Sequence, residues 1–345
     1  MYDATDQAHP TGIALNIEPP RRARVLLADD NVAVLESVSR HLAAAFDIVG
    51  LAGGGRQALD LATRLRPDVI VLDVSMPDLG GFQTLEQLRH VAPDTRAVFL
   101  TMHKDDEIAA SAIDHGAWGY VLKSRTHLDL ISAIENAIAG RLFLPSLTSL
   151  SGVAGHQHAV QVHGDDGRFL DDVGQFVVAT LRSGEPIVIL ADEATRVGLA
   201  ERLQARQMNV LRLAAQGQYV ALDSALSLSQ AMHDGRPDAD RLAEIVHGLD
   251  RLRLAFPNGP RHRLTIWGDL SASLCRSGQV AAALELERIW SELTRSLPFF
   301  TVCSYSSHCF EHAAARHQLP NVCGQHSAVI AEHHAAPVSG NRGGL

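Results

Sequence analysis

Positive charge is scarce in this sequence, and long apolar runs are absent. Lys and Arg number 30 against 39 Asp and Glu, giving a formal net charge of −9 and a pI near 6.0. Duplex DNA is held chiefly by clustered Lys and Arg, so an acidic chain argues against that partner. One small basic face would escape the count. The longest apolar stretches, such as Val-Ile-Val-Leu between Asp68 and Asp73, fall far short of the roughly 20 residues of a membrane helix. The opening residues carry acids and no apolar core, which excludes a signal peptide. No cysteine precedes Cys275, and the four present (Cys275, Cys303, Cys309, Cys323) read as reduced thiols of a cytoplasmic protein. Fixed-period repeats are also missing. What is there is 345 residues, 46% apolar and 20% charged, a soluble globular composition with room for two domains.

Residues 1–23 read as a flexible leader. From 24 to 145, short apolar runs alternate with amphipathic stretches. Strands are expected at 24–29, 47–51, 68–74, 97–101 and 119–123, and helices at 31–46, 56–65, 82–91, 105–115 and 127–139. Five strand–helix units in series imply a doubly wound parallel sheet, whose site lies beyond the carboxyl ends of the strands. Residues 146–157 read as a linker. A second α/β region follows over 158–325, with strands expected at 158–162, 186–190, 210–213, 263–267 and, last, 299–305. Its helices are expected at 168–183, 193–206, 219–232, 239–255, 270–277 and 280–297. Residues 326–345, rich in His, Ala and Gly, read as a disordered tail.

The first region ends its strands in chemistry. Strand one ends in Asp29-Asp30, strand three in Asp73, strand four in Thr101 and strand five in Lys123. A parallel sheet brings these ends to one edge. Clustered carboxylates repel unless a hard cation neutralises them, and Mg²⁺ suits few carboxylates and several waters. Such an ion and an ammonium beside a carboxylate would neutralise a transferring phosphoryl group, the carboxylate acting as nucleophile. Acids at strand ends also serve as helix caps, the plainer reading of each one alone.

This pattern closely resembles the receiver domain of two-component response regulators. It rests on Asp29-Asp30, Leu72-Asp73-Val-Ser-Met-Pro77 with Gly80-Gly81, Leu100-Thr101 and Gly119-Tyr-Val-Leu-Lys123. The last strand and helix, with Gly116-Ala117 and Ala139-Gly140, most resemble receivers of NarL/FixJ type. The resemblance implies a flavodoxin-like (βα)5 fold, phosphorylation of Asp73 by a histidine kinase, and no enzyme activity of the chain's own. It implies Mg²⁺ on Asp30, Asp73 and the Ser75 carbonyl, with Asp29 acting through water. Lys123 and Thr101 would contact the phosphoryl group, and Tyr120 would turn inward as Thr101 moves; a simply packed aromatic is the other reading of Tyr120. Met102 is bulkier than usual beside Thr101, and is expected to narrow access and slow loss of the phosphoryl group.

No helix-turn-helix with a basic recognition face follows. Residues 158–310 instead resemble the MEDS (methanogen/methylotroph sensory) domain, related to the RecA/KaiC-like fold. The resemblance rests on His158-Ala-Val, Gly184-Glu-Pro186, Gly217-Gln-Tyr-Val-Ala-Leu-Asp223, Asp234-Gly-Arg-Pro-Asp238, Trp267-Gly-Asp269, Leu286-Glu-Arg-Ile-Trp290 and Val302-Cys-Ser-Tyr305. It implies a sensory or output module. The turn Ala191-Asp-Glu-Ala-Thr-Arg-Val-Gly198 lacks the Gly-Lys-Ser/Thr of a phosphate loop, and its acids would repel phosphate. Arg196 is a substitute cation or a solvated helix residue. Glu185, Asp223 and Asp269 would line the old nucleotide cleft, with Asp223 equally suited to cap a helix. Cys303, His308, Cys309, His312, His317, Cys323 and His326 crowd one segment, but no Cys-x-x-Cys pair occurs. Metal binding and a set of buried thiols with solvated histidines both remain open there.

The expected protein is thus a response regulator. It would signal through a non-DNA-binding output domain to an unknown downstream protein, or within a homodimer, away from any membrane. The rival readings are a small-molecule or nucleotide sensor modulated by the receiver, and a DNA-binding regulator.

Overall fold

The computed structural model describes residues 21–150, 157–164, 168–256, 262–310 and 319–330. The first half forms five strands, β1 (Arg24–Ala28), β2 (Asp47–Ala52), β3 (Val69–Leu72), β4 (Arg96–Thr101) and β5 (Gly119–Leu122). Between and after them lie α1 (Val32–Leu42), α2 (Gly55–Leu65), α3 (Gly81–Val91), α4 (Asp106–Asp114) and α5 (Thr126–Ile138). Every residue of β3 is buried, as a strand covered on both faces requires. Helix starts are set locally: Asn31 accepts from the Ala33 amide at 3.0 Å and Asp105 from the Glu107 amide at 2.8 Å. Gly81 must be glycine, because a Cβ there would overlap the Asp73 carbonyl and the Phe99 ring. That close approach packs the start of α3 against the end of β3.

The second half is also α/β. It comprises β7 (Gln157–His163), α6 (Phe169–Arg182), β8 (Ile187–Ala191), α7 (Glu193–Ala205), α8 (Val210–Ala215), β9 (Tyr219–Asp223) and α9 (Ser224–Ala231). The short hairpin β10 (Met232–His233) and β11 (Arg236–Pro237) leads to α10 (Ala239–Ala255), β12 (Leu264–Gly268), α11 (Leu270–Arg276), α12 (Val280–Thr294) and β13 (Phe299–Ser306).

Three short segments join the halves into one sheet. They are β6 (Leu142–Leu144), α13 (Leu319–Gly324) and β14 (Ala328–Ile330). The twelve strands run in the order β2-β1-β3-β4-β5-β6-β14-β7-β13-β12-β8-β9, with every neighbouring pair parallel. The seam is narrow: β5 meets β6 at Gly119 and Phe143, and β14 pairs three residues on each side. Ser327 fastens it. Its amide donates to the His158 carbonyl at 2.7 Å, its carbonyl accepts from Leu142 at 2.9 Å, and its hydroxyl accepts from the His158 amide at 2.9 Å. Apolar layers on both faces continue across the seam, linking Leu72 and Leu144 to Ala159 on one face and Val121 and Phe143 to Val160 on the other.

Several expectations are corrected. Residues 210–213 are helical: the Asn209 side chain caps the Arg212 amide at 2.9 Å, and Leu211 is left in solvent. The stretch 219–232 splits into the edge strand β9 and helix α9, because Asp223 ends the strand and caps the Leu226 amide at 2.9 Å. Strand β13 is not the last. His326 is buried, as are Ala328–Ile330, which fill a gap between two strands, so this part of the expected tail is sheet. The start of the expected linker is also ordered. Residues 148–150 form one 3₁₀ turn, with Leu147 and Ser149 buried. The rest of the leader, linker and tail lies largely outside the described residues.

Candidate functional site

The carboxyl ends of β1, β3, β4 and β5 deliver the expected groups to one place. Lys123 Nζ sits 2.6 Å from Asp29 Oδ2 and 2.9 Å from Asp73 Oδ2. Asp29 and Asp73 are buried, while Asp30 faces solvent. Oxygens of Asp29, Asp30 and Asp73 lie within 4.8 Å of one another. Burial pushes the Asp73 carboxyl up, against the pull of Lys123. Burial alone would lower the Lys123 ammonium, but Asp29 and Asp73 hold it above the usual lysine range. One ammonium faces three carboxylates, so the cluster keeps an excess of negative charge. That excess and those oxygens fit a hard divalent cation.

A relay starts beside the acids. Thr101 is fully buried, and its Oγ1 accepts from the His103 amide at 3.2 Å. The Tyr120 ring is buried, and its hydroxyl donates to the His103 carbonyl at 2.9 Å. The His103 ring reaches Ser75 Oγ, with Nε2 at 3.2 Å. His103 therefore spans the mouth of the site. Its role was not legible in the sequence, since a histidine in a loop after a strand carries no signal of its own. Met102, expected to narrow access, is 74% exposed.

Further contacts tie α4 to the segment between the halves. Helix α4 begins three residues after His103. The Asp106 carboxylate on its first turn accepts from the hydroxyls of Ser146, Thr148 and Ser149. Sequence reading placed those three hydroxyls in a linker.

Of the three residues expected to line the second-domain cleft, Asp223 and Asp269 share one edge of the sheet and Glu185 lies at the other. Glu185 precedes β8, at the amino edge of the sheet, and pairs with Arg263 at 2.8 Å. Asp223 and Asp269 follow β9 and β12 at the opposite edge. Asp223 caps α9 and pairs with Arg196 Nη2 at 2.8 Å. Arg196, read as a substitute cation or a solvated helix residue, is thus engaged by Asp223. Asp269 meets Arg276 at 3.2 Å, and burial pushes its carboxyl up. Asp192 is spent on the Thr195 amide at 2.7 Å. The turn at 191–198 is an ordinary capped helix start.

The late Cys/His group separates. Cys309 packs by Cys275 and Ala272, while Cys303 and His326 join His158 and Glu287 in the core. His312 and His317 lie outside the described residues. Among the described residues no helix is long and apolar enough to cross a membrane.

Residues 25–135 match the family model of the response regulator receiver domain. Residues 157–320 match that of MEDS, the MEthanogen/methylotroph, DcmR Sensory domain. The chain is 37% identical over 131 residues to the nitrate/nitrite response regulator protein NarL of Escherichia coli strain K12, covering 37% of this chain and 59% of NarL. It is 34% identical over 128 residues to the transcriptional regulatory protein MctR of Rhizobium johnstonii, covering 36% of this chain and 59% of MctR. The chain thus spans less than two thirds of these relatives. The signal receiver domain of the response regulator NarL from Mycobacterium tuberculosis is 32% identical and covers 35% of this chain and 100% of that one, with a TM-score of 0.34. The chain carries a response regulator receiver domain followed by a MEDS domain.

Proposed function

We propose that this chain is a phosphorylated signalling switch. Asp73 would accept a phosphoryl group from a sensor histidine kinase, and the MEDS domain would pass the signal on by protein contact rather than by binding DNA. The observation that carries this is Lys123 bridging Asp29 and Asp73 at converging strand ends. A carboxylate of Asp73 attacks phosphorus, the phosphorus–nitrogen bond to the donor imidazole breaks, and that nitrogen keeps the electron pair. Lys123 then faces a phosphoryl oxygen as well as Asp29. Asp29, Asp30, Asp73 and the Ser75 carbonyl would hold Mg²⁺, which supplies charge neutralisation at the phosphoryl group when bound.

The Thr101 hydroxyl is the group that can report the event. Turning to donate to a phosphoryl oxygen takes it from the His103 amide. His103 in turn holds Tyr120 and leads directly into α4. Asp106 on α4 grips Ser146, Thr148 and Ser149 at the entrance to the MEDS domain. A shift of α4 therefore pulls on the seam between the halves. Such a shift would bare or cover a surface for a partner protein or a second copy. The engaged acids at 192 and 223 favour this over a nucleotide-sensing reading.

The test is phosphorylation of the purified chain with a small acyl phosphate and Mg²⁺, read by intact mass and peptide mapping. One added phosphoryl group on Asp73, absent from Asp73→Asn, is expected. Unchanged labelling of Asp73→Asn overturns the assignment.

A further inference from the structure

We propose that His158, Glu287, Cys303 and His326 form a closed, four-coordinate site for a divalent transition metal, zinc by donor type. His158 comes from β7, Glu287 from α12, Cys303 from β13 and His326 from the turn between α13 and β14. His158 Nε2 lies 3.1 Å from Cys303 Sγ and 3.2 Å from Glu287 Oε2. Cys303 Sγ is 3.3 Å, and His326 Nε2 3.5 Å, from the same Oε2. All four donor atoms fall within 4.8 Å of one another. A tetrahedron with zinc–ligand bonds of about 2.0–2.3 Å has edges of about 3.3–3.8 Å, so two of these separations match and the two from His158 need to open by only about 0.2 Å to seat one ion.

The surroundings aim these atoms inward. The outer imidazole nitrogens are both engaged: His158 Nδ1 with Ser291 Oγ at 2.8 Å, and His326 Nδ1 with the Val322 carbonyl at 2.7 Å. A carbonyl only accepts, so His326 carries its proton on Nδ1. Its Nε2 then faces the Glu287 carboxylate. That nitrogen is fully buried and makes no hydrogen bond. Lone pair against carboxylate in a dry core is repulsive, unless a second proton or a metal ion stands between them. The Tyr305 hydroxyl donates to Glu287 Oε1 at 2.7 Å, which leaves Oε2 as the ligand atom. Such outer partners fix ligands in metal sites generally. Thiolate and imidazole donors with one carboxylate suit zinc rather than Mg²⁺. Four protein donors leave no open position, so the site would hold structure or sense metal rather than hydrolyse a substrate. Loading would release the Cys303 thiol proton to solvent.

The location gives the site its consequence. His326 lies two residues before β14, and β14 is the strand between the two halves of the sheet. Metal on His326 would latch that strand to the MEDS core.

The test uses the full chain grown in zinc-supplemented medium. Elemental analysis is expected to give about one zinc per chain. After removal by a chelator, Co²⁺ should restore an intense tetrahedral spectrum with a thiolate-to-cobalt charge-transfer band, displaced by zinc. Cys303→Ser should lose that band. The wild-type reconstitution stands even if this variant misfolds. A folded wild-type chain with neither zinc nor the cobalt band overturns the proposal, and points to protonated His326 instead. So does zinc that survives in Cys303→Ser and His326→Gln but vanishes in a His333→Ala/His334→Ala chain, an adventitious ion on the sequence's late histidine pair. Hydrogen exchange at Ala328–Ile330 should quicken at least tenfold on metal removal; no change would sever the site from the latch.

Discussion

The two halves of this sheet treat acids at the carboxyl edge in opposite ways. In the receiver half, Asp29, Asp73 and Lys123 share one pocket, with an excess of negative charge left over and Asp30 in solvent. In the MEDS half, Asp192 is engaged by the Thr195 amide, Asp223 by Arg196 and the Leu226 amide, and Asp269 by Arg276 through Oδ2 alone, its Oδ1 buried without a hydrogen bond. The same topology thus yields a reactive edge on one side and a quiet one on the other. The difference lies in who answers the charge. A single shared cation leaves more charge unanswered than separate partners do. The MEDS half keeps its strongest polar cluster away from that edge, inside the core around Glu287. There the surrounding groups matter more than burial. Burial alone would raise the Glu287 carboxyl, yet His326 and His158 hold it well below the usual carboxylate range.

The sharpest way to break the contrast is to remove the shared cation. Lys123→Ala should cut the phosphorylation rate from an acyl phosphate by about 10²-fold, the usual loss of one charge-stabilising group. In the MEDS half, Arg196→Ala should leave that rate unchanged, and equal losses would erase the distinction. Next in size is the seam. Ile330→Ala should cost about 3 kcal/mol of stability by denaturant titration, as a buried large-to-small change does. A cost near zero would mean that β14 does not bind the halves together. Asp106→Ala should cost less, about 1–2 kcal/mol for three exposed or half-buried hydroxyl contacts. It should also abolish any phosphorylation-dependent change in hydrogen exchange within the MEDS half, while leaving Asp73 labelling intact. The smallest effect is chemical. Burial, with Cys309 and Glu287 nearby, pushes the Cys275 thiol up to about 12. Its alkylation at pH 8 should run roughly 10³-fold slower than that of a free thiol, read by mass spectrometry of the folded chain.

The receiver site was legible because each of its groups ends an apolar run, and a parallel sheet gathers such ends. No comparable rule reaches the seam. Ala328-Val-Ile is only three residues long, and its partners at 142–144 and 157–163 are remote in sequence. The cluster at Glu287 was hidden for the same reason. His158 and His326 lie at opposite ends of the second half, and metal-ligand spacing is informative only when ligands are close in the chain. The misassigned elements had a readable cue after all. Asn209 and Asp223 each stand where a cap is needed, and cap chemistry, weighed above apolar content, separates α8 and α9 from strands. Glu185 shows the converse. Its position before β8 placed it on the amino edge, where no companion acid could join it.

Strand β14 also fixes an order of assembly. Its residues are made nearly 200 positions after β6, with which it pairs. As the chain leaves the ribosome, the receiver half can complete its own five strands early, as N-terminal domains do. The MEDS half can then gather β7, β8, β9, β12 and β13. Neither can be knitted to the other until residues 328–330 emerge and close a contact of very long range, the slow kind in folding. Until that moment the nascent protein is two separate bodies on one string. That strand is the stitch that makes them one.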